Sequence, residues 1–553
     1  MSLRFMETQN SDQKDQPMSA DRASDASAWT PLRRPVFRAL WIASVFSNVG
    51  TWMQDVGGAW LMTMLAPSPI MVALMQTATT LPIFLLSLPA GAFADVIDRR
   101  RLLIFCQAWM MSGAALLGVL TMSGVTTPLV LLVLTFVLQM GGAMSMPAYQ
   151  AVVPELVSRA DLHKAVALGA IAFNLARAVG PALGGLIVAA FGPGAVFLLN
   201  AASFLGVVVV IYRWQRTAPE SALPTERFLN AMRAGIRYVV HAPELHSILI
   251  RTVLFAFCGS ALWALLPLFA SRELGLSSFG YGVLLGCLGS GAVVAALILP
   301  KMRRRFSVGA LVGGAQLLYA AVLVGLAFTH NVLLVGLAMG LGGVAWISLL
   351  ATFNSEVQVV IPSWVRGRVM ATYGIVFFGG LAGGSVLWGA VALFAGTPAT
   401  FVSAALGLAS GLVFVMRMRL PSSEGLDLRP SVRSSSHPDW TVDTELDSGP
   451  VLVTIEYRID PRSASQFARA MQSIRRIRLR NGAMQWGLFC DTKDAGRYVE
   501  LFIVESWLEH LRQHERFTVS DRATEKLLRS FHVGEDPPVV SHMLYAYGLE
   551  PRP

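Results

Sequence analysis

The sequence predicts a polytopic membrane protein with twelve transmembrane helices in two parallel six-helix halves, followed by a small soluble α+β domain. Three observations support this all-α membrane fold class. The chain has 553 residues, of which 54% are hydrophobic and 14% charged, whereas about a quarter of the residues in soluble proteins are charged. Long apolar runs fill residues 36–418, and basic residues alternate between the connecting loops. The composition excludes a disordered chain, a nucleic-acid-binding protein and an ordinary soluble enzyme as descriptions of the whole protein.

The apolar runs define the predicted spans. Residues 1–30 precede them and are polar, without the apolar core of a signal peptide, so we expect a flexible cytoplasmic tail. Each run has about 20 residues, enough to cross a hydrocarbon core of about 30 Å as a helix. The twelve runs begin near residues 38, 69, 102, 127, 165, 193, 247, 278, 307, 331, 368 and 397.

Loop charges test this number of spans. With the N-terminus inside, the cytoplasmic connections contain the basic clusters at 99–101 and 303–305, whereas the outer connections contain only Arg272. A missed span would invert the alternation beyond the error. Because Lys and Arg concentrate in cytoplasmic loops, we expect twelve spans with both termini inside.

The two halves form an internal repeat, which also sets the domain bounds. An even number of spans returns the chain to the same side, so both copies have the same orientation, as in transporters that rock around a central cavity. A shift of 204 residues maps the basic cluster 99–101 onto 303–305, Gly180 onto Gly384 and Gly185 onto Gly389. The predicted parts are a first half at 31–213, a central loop at 214–246 with a surface helix near 228–239, a second half at 247–418, and a Pro- and Ser-rich linker at 419–449.

Residues 450–548 predict the small α+β domain. Apolar residues alternate along the first segment, as in a strand, and recur at helical spacing in the second. The element order β-α-β-β-α-β suggests a ferredoxin-like fold. The predicted elements are a strand at 451–457, a helix at 467–477, strands at 484–490 and 498–504, a helix from about 507 and a strand at 539–547.

Between spans two and three, a cluster of charged residues predicts a conformational latch. Gly91 allows close helix contact, Asp95 can pair with cytoplasmic cations, and Arg99, Arg100 and Arg101 supply them. Such a cluster can hold two spans together in one state and release them in another. The alternative is that the Arg residues only set the topology.

In span five, Gly180, Pro181, Gly184 and Gly185 predict a hinge. Proline removes a helical hydrogen bond, and glycines let a neighbouring helix approach closely. The alternative is a packing kink without a mechanistic role.

Two ionisable residues lie inside predicted spans. Asp55 lies past the middle of span one and could carry a proton or contact a cation; the alternative is a structural carboxylate near the outer mouth. Arg177 lies near the middle of span five and could bind an anionic substrate or pair with an acid in the cavity; a fixed structural contact is the alternative. A charge at mid-membrane costs about 2.5–3.5 kcal/mol on insertion scales, so it usually has a partner or a wet cavity.

Amides and tryptophans inside the spans are further candidates for a cavity wall. Amides avoid lipid, so they either line a cavity or hold helices together. Tryptophans could stack on an aromatic substrate, although interfacial or packing roles are more common. The candidate tryptophans are Trp52, Trp60, Trp263, Trp346 and Trp388.

The first motif resembles the loop signature of the major facilitator superfamily, with Val96 and Asp98 where Arg and Gly are usual. The span-five motif resembles the signature of proton-coupled exporters in that superfamily. Three longer stretches resemble its branch of transmembrane secretion effectors, which contains a bacterial enterobactin exporter. These stretches are residues 50–56, 154–168 and 174–181.

This resemblance covers residues 30–420 and implies a transporter of the bacterial inner membrane rather than an enzyme. It implies export of a drug- or siderophore-like molecule in exchange for protons, with no cofactor, metal or nucleic acid as partner. The sequence contains no Walker-type phosphate loop, so the expected energy source is an ion gradient. A lipid flippase or an importer is the alternative.

The C-terminal domain resembles the small ferredoxin-like domains of antibiotic-biosynthesis monooxygenases, on its element order and on residues 507–517. Many of those domains pair, which implies dimerisation through this domain. Asn481, Trp486 and His514 are candidate pocket residues; the alternative is a surface helix with ordinary histidines and a core tryptophan. A membrane-tethered enzyme or sensor is the second hypothesis, and deletion of residues 420–553 would separate it from the first.

Overall fold

The computed structural model describes residues 29–158, 160–214, 228–416 and 448–545, together with Ser27, residues 427–429 and Ser431. Most of the predicted N-terminal tail, part of the central loop and most of the linker lie outside these residues. Within α2, described next, the side chain of Asp95 also lies outside the described part.

Six long helices joined by short turns form the first half. Proline occupies the first turn of α1, α2, α4 and α6, where its missing N–H has no helical partner to lose. The six helices are α1 (Pro35–Leu65), α2 (Pro69–Val96), α3 (Arg99–Met122), α4 (Pro128–Leu156), α5 (Leu162–Phe191) and α6 (Pro193–Arg213).

The second half follows the predicted surface helix, α7. The last membrane helix, α12, contains 51 residues but has Gly396 in the left-handed region at φ 81°. Only glycine adopts this conformation without strain, so two helices meet there, as predicted for spans eleven and twelve. The elements are α7 (Phe228–Val240), α8 (Pro243–Leu268) with a π-helical turn (Phe269–Glu273), α9 (Ser278–Arg303), α10 (Val308–Phe328), α11 (Val332–Val359) and α12 (Arg366–Met416).

Ten helices in the described part of the chain are long and apolar enough to cross a membrane, and α12 is counted once among them. They do not include α1, because its polar residues lower its mean hydropathy. Yet α1 packs inside the first half: Trp41 Nε1 donates to the Leu168 carbonyl of α5 at 2.9 Å, and Asn200 Nδ2 of α6 donates to Gln54 Oε1 at 2.7 Å. The predicted polytopic fold in two halves is confirmed.

Glycines at the repeat positions bring the halves together. On α5, Gly180 faces α1 and Gly185 faces α9; on α12, Gly384 faces α8 and Gly389 faces α2. At each position an added Cβ would overlap the facing helix, so the close approach requires glycine. Each half therefore presents a glycine-bearing helix to its own first helix and to the second helix of the other half. The repeat found in the sequence is present in the packing.

The C-terminal domain is an antiparallel four-stranded sheet in the order β2-β3-β1-β4, packed against helices. The predicted element order holds, with one correction: the helix predicted from Trp507 is two helices. The second begins at a capping box, in which Thr518 and Asp521 satisfy each other's backbone N–H groups. The elements are β1 (Val451–Arg458), α13 (Ala464–Asn481), β2 (Ala483–Cys490), β3 (Arg497–Val504), α14 (Trp507–Glu515), α15 (Val519–Arg529) and β4 (Val539–Leu544).

An ion-pair cluster attaches this domain to α7. Glu509 of α14 accepts a hydrogen bond from Arg237 of α7 at 3.1 Å and another from Arg516. Burial lowers the pKa of the Arg237 guanidinium, and the nearby Glu509 carboxylate opposes that shift. One carboxylate therefore bridges a guanidinium of the membrane bundle's surface helix and one of the C-terminal domain.

Aromatic rings extend the same interface. The Arg516 guanidinium lies 4.7 Å from the Trp364 ring centroid, and that of Arg480 lies 5.4 Å from the Tyr238 ring. Tyr238 and Trp364 contact each other edge to face at 5.8 Å. Burial raises the pKa of Tyr238 to about 12. The contacts tie the domain to the second half of the membrane bundle.

We expect Glu509→Gln to loosen this attachment. The substitution removes the charge that Arg237 and Arg516 share, at a cost of about 2 kcal/mol for charged hydrogen bonds. Hydrogen–deuterium exchange in α7 and α14 should then be about 30-fold faster. Glu515→Gln, on the exposed side of α14, is the matched control. Equal protection in the two variants would contradict the assignment.

Candidate functional site

A cavity of about 480 Å³ lies between the two halves, within the size range of sites for drug-sized molecules. Its two walls differ in chemistry. The first half contributes every amide, threonine and charged side chain among the lining residues, whereas the second half contributes mainly aromatic and aliphatic ones. The polar wall contains Asn48, Thr51, Gln54, Asp55, Gln76, Thr79, Thr80, Thr135, Gln139 and Arg177. Apolar side chains such as Trp52 and Phe197 also line the first half, so the charged, amide and threonine groups are confined to one half while apolar surface surrounds the cavity.

Asp55 lines this cavity from α1, as one of the two charged residues in its wall. Its side chain is half-buried and forms no hydrogen bond or ion pair with any residue that the structure describes. Tyr281 of α9 lines the same cavity, and its ring stacks on Trp60 at 6.0 Å. The carboxylate is therefore open to a proton or a ligand from the cavity.

Arg177 is the second charged residue of the wall, and its side chain is only 7% exposed. Its guanidinium lies 5.8 Å from the Trp52 ring of the first half and 5.9 Å from the Trp263 ring of the second. Its Nε has no hydrogen-bond partner in the described part of the chain. Arg177 and Asp55 thus share one cavity without forming an ion pair with each other.

The span-five motif positions Arg177. Pro181 has no N–H, so the Arg177 carbonyl lacks its usual helical partner, while α5 continues as one helix. Gly289 of α9 lies against that carbonyl: an added Cβ would be 3.0 Å from the oxygen. Gly184 lies against Met53 of α1, where an added Cβ would be 2.8 Å from the Met53 Cα. These contacts place Arg177 where both halves meet; the hinge role remains a prediction.

Of the predicted latch, the structure describes the Arg cluster, whereas the expected pairing of Asp95 lies outside the described side chains. Arg99 donates to Glu155 of α4 at 2.8 Å, and Arg100 donates to the Ile211 carbonyl of α6 at 3.0 Å. Asp98 caps α3 by accepting from the Arg101 N–H at 2.9 Å. An added Cβ at Gly91 would meet no described atom within 4 Å, so the role of Gly91 in close helix contact stays a prediction.

Glu155 is a residue that the sequence analysis missed. It directly follows a proline at the end of α4. This end lies on the same side of the bundle as the Arg cluster, and that position was the signal from which the ion pair could have been predicted. In the second half Arg303 reaches the equivalent helix α11, where it donates to Ser355 Oγ at 3.2 Å and the Ala351 carbonyl at 3.0 Å. The first Arg of each cluster therefore bonds to a neighbouring helix. Its partner includes a carboxylate in the first half, and a hydroxyl and a carbonyl in the second.

In the C-terminal domain, the three candidate pocket residues have separate partners. Trp486 Nε1 donates to the fully buried Glu500 at 3.1 Å, as part of the domain core. The Asn481 carbonyl accepts from Arg516 at 2.9 Å, and the His514 and His510 rings are in contact, with their Nε2 atoms 3.1 Å apart. Trp486 therefore fits the alternative of a core tryptophan.

Comparison with protein families and relatives adds independent findings. The family model described as transmembrane secretion effector matches residues 26–548. The multidrug efflux pump Tap of Mycolicibacterium fortuitum is 28% identical over 422 residues, which cover 72% of this chain and 99% of that protein. The staphyloferrin A transporter of Staphylococcus aureus is 24% identical over 324 residues, which cover 58% of this chain and 81% of that protein.

Solved structures share the fold. A bacterial homologue of the human lysosomal transporter Spinster, in an inward-facing and occupied conformation, gives a TM-score of 0.56 at 15% identity and covers 70% of this chain and 97% of its own. The nucleoside transporter NupG gives 0.57 at 13% identity and covers 69% of this chain and 99% of its own. At these identities the likeness establishes the arrangement of helices and nothing about substrate.

Proposed function

Because the chain belongs to the transmembrane secretion effector family of the major facilitator superfamily, we propose that this transporter exports a small organic molecule in exchange for protons. The observation that carries the proposal is the cavity between the halves, where Asp55 and Arg177 form no ion pair with any residue that the structure describes. Relatives named as a multidrug efflux pump and a staphyloferrin A transporter support a drug- or siderophore-like substrate. The proposed location is the bacterial inner membrane, with both termini cytoplasmic.

Packing between the halves supports alternating access. Ser278 Oγ of α9 donates to the Gly185 carbonyl at 3.2 Å, and Thr77 Oγ1 of α2 donates to the Ala382 carbonyl at 3.3 Å. Gly185 and Thr77 lie nearer to the helix ends opposite the Arg clusters. Since those clusters favour the cytoplasm, these contacts support a state that is closed toward the outside. Export then requires these contacts to open and the cytoplasmic ends to close.

Asp55 is the proposed proton carrier. It is the one carboxylate among the described residues that line the cavity. Exchange follows if its carboxyl releases a proton when substrate binds from the cytoplasm and takes one up after substrate leaves on the outside. Because Asp55 cannot hold a proton and contact the substrate at the same time, this one site couples the flux of protons to the flux of substrate.

The charge cluster at the start of α3 is the proposed latch, with Glu155 as an added member. We expect Glu155→Gln to slow transport about fivefold, since a partly buried ion pair of this kind contributes about 1 kcal/mol. The measurement is initial efflux rate in everted membrane vesicles. Gln150→Ala, at an exposed position of the same helix, is the control. An unchanged rate for Glu155→Gln would remove this ion pair from the latch.

Metabolite profiling of cells tests the proposed function. Cells with the intact chain and cells without it are compared inside and outside, before and after a protonophore collapses the gradient. We expect a compound that is retained without the chain, released with it, and retained again when the gradient is lost. Release that continues unchanged after collapse would refute proton exchange, and uptake would refute export. Labelled lipid that changes leaflet only with the chain would favour a flippase.

A further inference from the structure

We propose that the substrate is a zwitterion with an apolar, preferably aromatic, body: its anionic group binds Arg177 and its cationic group binds Asp55. The inference rests on the proposed function and names the substrate class of the same site. It follows from two opposite charges in one cavity that have no ion-pair partner in the described part of the chain, and from the aromatic rings of the second half that face them.

Arg177 requires an anion. The guanidinium is 7% exposed, and its Nε has no hydrogen-bond partner among the described residues. The rings of Trp52 and Trp263, at 5.8 and 5.9 Å, attract the cation and fix its position, but they bring no negative charge. A buried guanidinium is best satisfied by a carboxylate, which matches its planar fork with two hydrogen bonds. The ligand therefore supplies the carboxylate.

Asp55 requires a cation or a proton. It lines the same cavity and has no hydrogen bond or ion pair in the described part of the chain. It is three residues beyond Trp52, which is about 4.5 Å further along α1. Arg177 does not fill this role, because the two side chains do not pair. Two separated opposite charges in one cavity are the complement of a ligand that carries both.

The direction of proton movement decides between a zwitterion and a simple anion. An anion bound at Arg177 without a cationic group would favour the protonated Asp55 carboxyl, so substrate and proton would move together. A cationic group beside Asp55 favours the ionised carboxylate and expels the proton, as exchange requires. Export in exchange for protons therefore needs a cationic group at Asp55, and Arg177 still needs an anionic one.

The walls define the body of the ligand. The second half presents Trp263, Trp346, Phe377 and Phe378 to the cavity, opposite the amides and threonines of the first half. Flat apolar groups can stack on these rings while the charged end faces the first half. Both charges come from the first half and these four rings from the second, so a zwitterion that uses both contacts both halves, although Trp52 of the first half lines the cavity as well. Substrate binding can then affect how the two halves are arranged relative to each other.

Three matched probes test the inference by equilibrium binding to the purified full-length protein. Nε-dansyl-lysine is a zwitterion, its methyl ester has only the cation, and its Nα-acetyl derivative has only the anion. All three have the same fluorescent aromatic body. We expect the zwitterion to bind at least about tenfold more tightly than either derivative, since each charged hydrogen-bonded contact typically gives that factor or more.

Variants assign each charge to its residue. Arg177→Gln should weaken binding of the zwitterion and of the acetyl derivative about tenfold or more, and it should change the affinity for the ester by no more than about twofold. Asp55→Asn should weaken binding of the zwitterion and of the ester and leave binding of the acetyl derivative unchanged. Arg177→Lys should restore part of the loss, because it keeps the charge without the fork. Arg272→Gln, at an exposed position outside the cavity lining, is the control.

The outcomes separate this inference from the proposed function. In the unmodified protein, equal affinity for the three probes would overturn the proposal of a zwitterionic substrate. The same holds if none of them shows saturable binding up to millimolar concentration, whatever the variants do. An equal effect of Arg177→Gln on ester and acid would also overturn it. Because binding is measured at equilibrium without a gradient, a failure of proton-driven export leaves this result intact. Conversely, export of a compound without both charges would confirm the function and refute the substrate class.

Discussion

Asp55→Asn is expected to reduce proton-driven export to the level of membranes that lack the protein. Asparagine has nearly the shape of aspartic acid but takes up no proton, so the cycle loses its coupling step while the cavity keeps its form. The carboxylate is half-buried in the cavity wall and has no described partner whose loss would unfold the bundle. The effect should therefore fall on coupling and leave the fold intact.

The measurement uses proteoliposomes with an imposed pH gradient and the compound identified by profiling. We expect uphill accumulation to fall at least about 100-fold, as for removal of an essential proton-transfer group. Downhill exchange of the same compound should continue at saturating concentration, and its rate should no longer depend on pH. Asp494→Asn, in the C-terminal domain, controls for an aspartate change elsewhere. Full uphill accumulation by Asp55→Asn would move the proton site to another residue.

Gly185→Val is expected to have the second large effect. An added side chain at Gly185 would overlap the Ser278 carbonyl and approach the Gly282 backbone, so α5 and α9 could not meet as they do. The obstacle is backbone rather than a flexible side chain, and overpacking of this kind costs about 3 kcal/mol. That free energy shifts a two-state equilibrium about 150-fold away from the outside-closed state. Transport should stop because one of the two states is lost.

A cysteine at the cavity position Leu285 reports the shift, in a chain whose native cysteines are replaced. A membrane-impermeant maleimide added from outside should label it much faster in Gly185→Val than in the parent. Gly169→Val is the control on the same helix, because an added Cβ there meets no described atom within 4 Å. Slow labelling together with normal transport would show that the α5–α9 contact does not close the outer side.

Much of the membrane fold could be predicted because its signals are local. Apolar runs and loop charges located the helices to within a few residues, including the break at Gly396. Helix positions are decided by burial in the bilayer, which acts on each segment separately. The error at Trp507 has a local cause as well: the Thr518 capping box that divides the helix was present in the sequence but was not used.

The candidate site was predicted only in part. Asp55 and Arg177 could be selected because charges inside apolar runs are costly. Their common cavity, and the Trp263 ring that reaches Arg177 from the other half, depend on helices far apart in the chain. Glu155 was missed for the same reason, since its partner Arg99 is on another helix.

The sequence by itself therefore determined the membrane helices, the order of strands in the C-terminal domain, the repeat of two halves and the residues that carry charge into the membrane. Each of these is imposed on a segment by its own composition. Only the tertiary structure decided which side chains meet: the unlike walls of the cavity, the unpaired state of Asp55 and Arg177, and the attachment of Glu509 to Arg237. Such contacts depend on how helices pack against each other, and a given hydrophobic pattern is compatible with more than one packing of side chains.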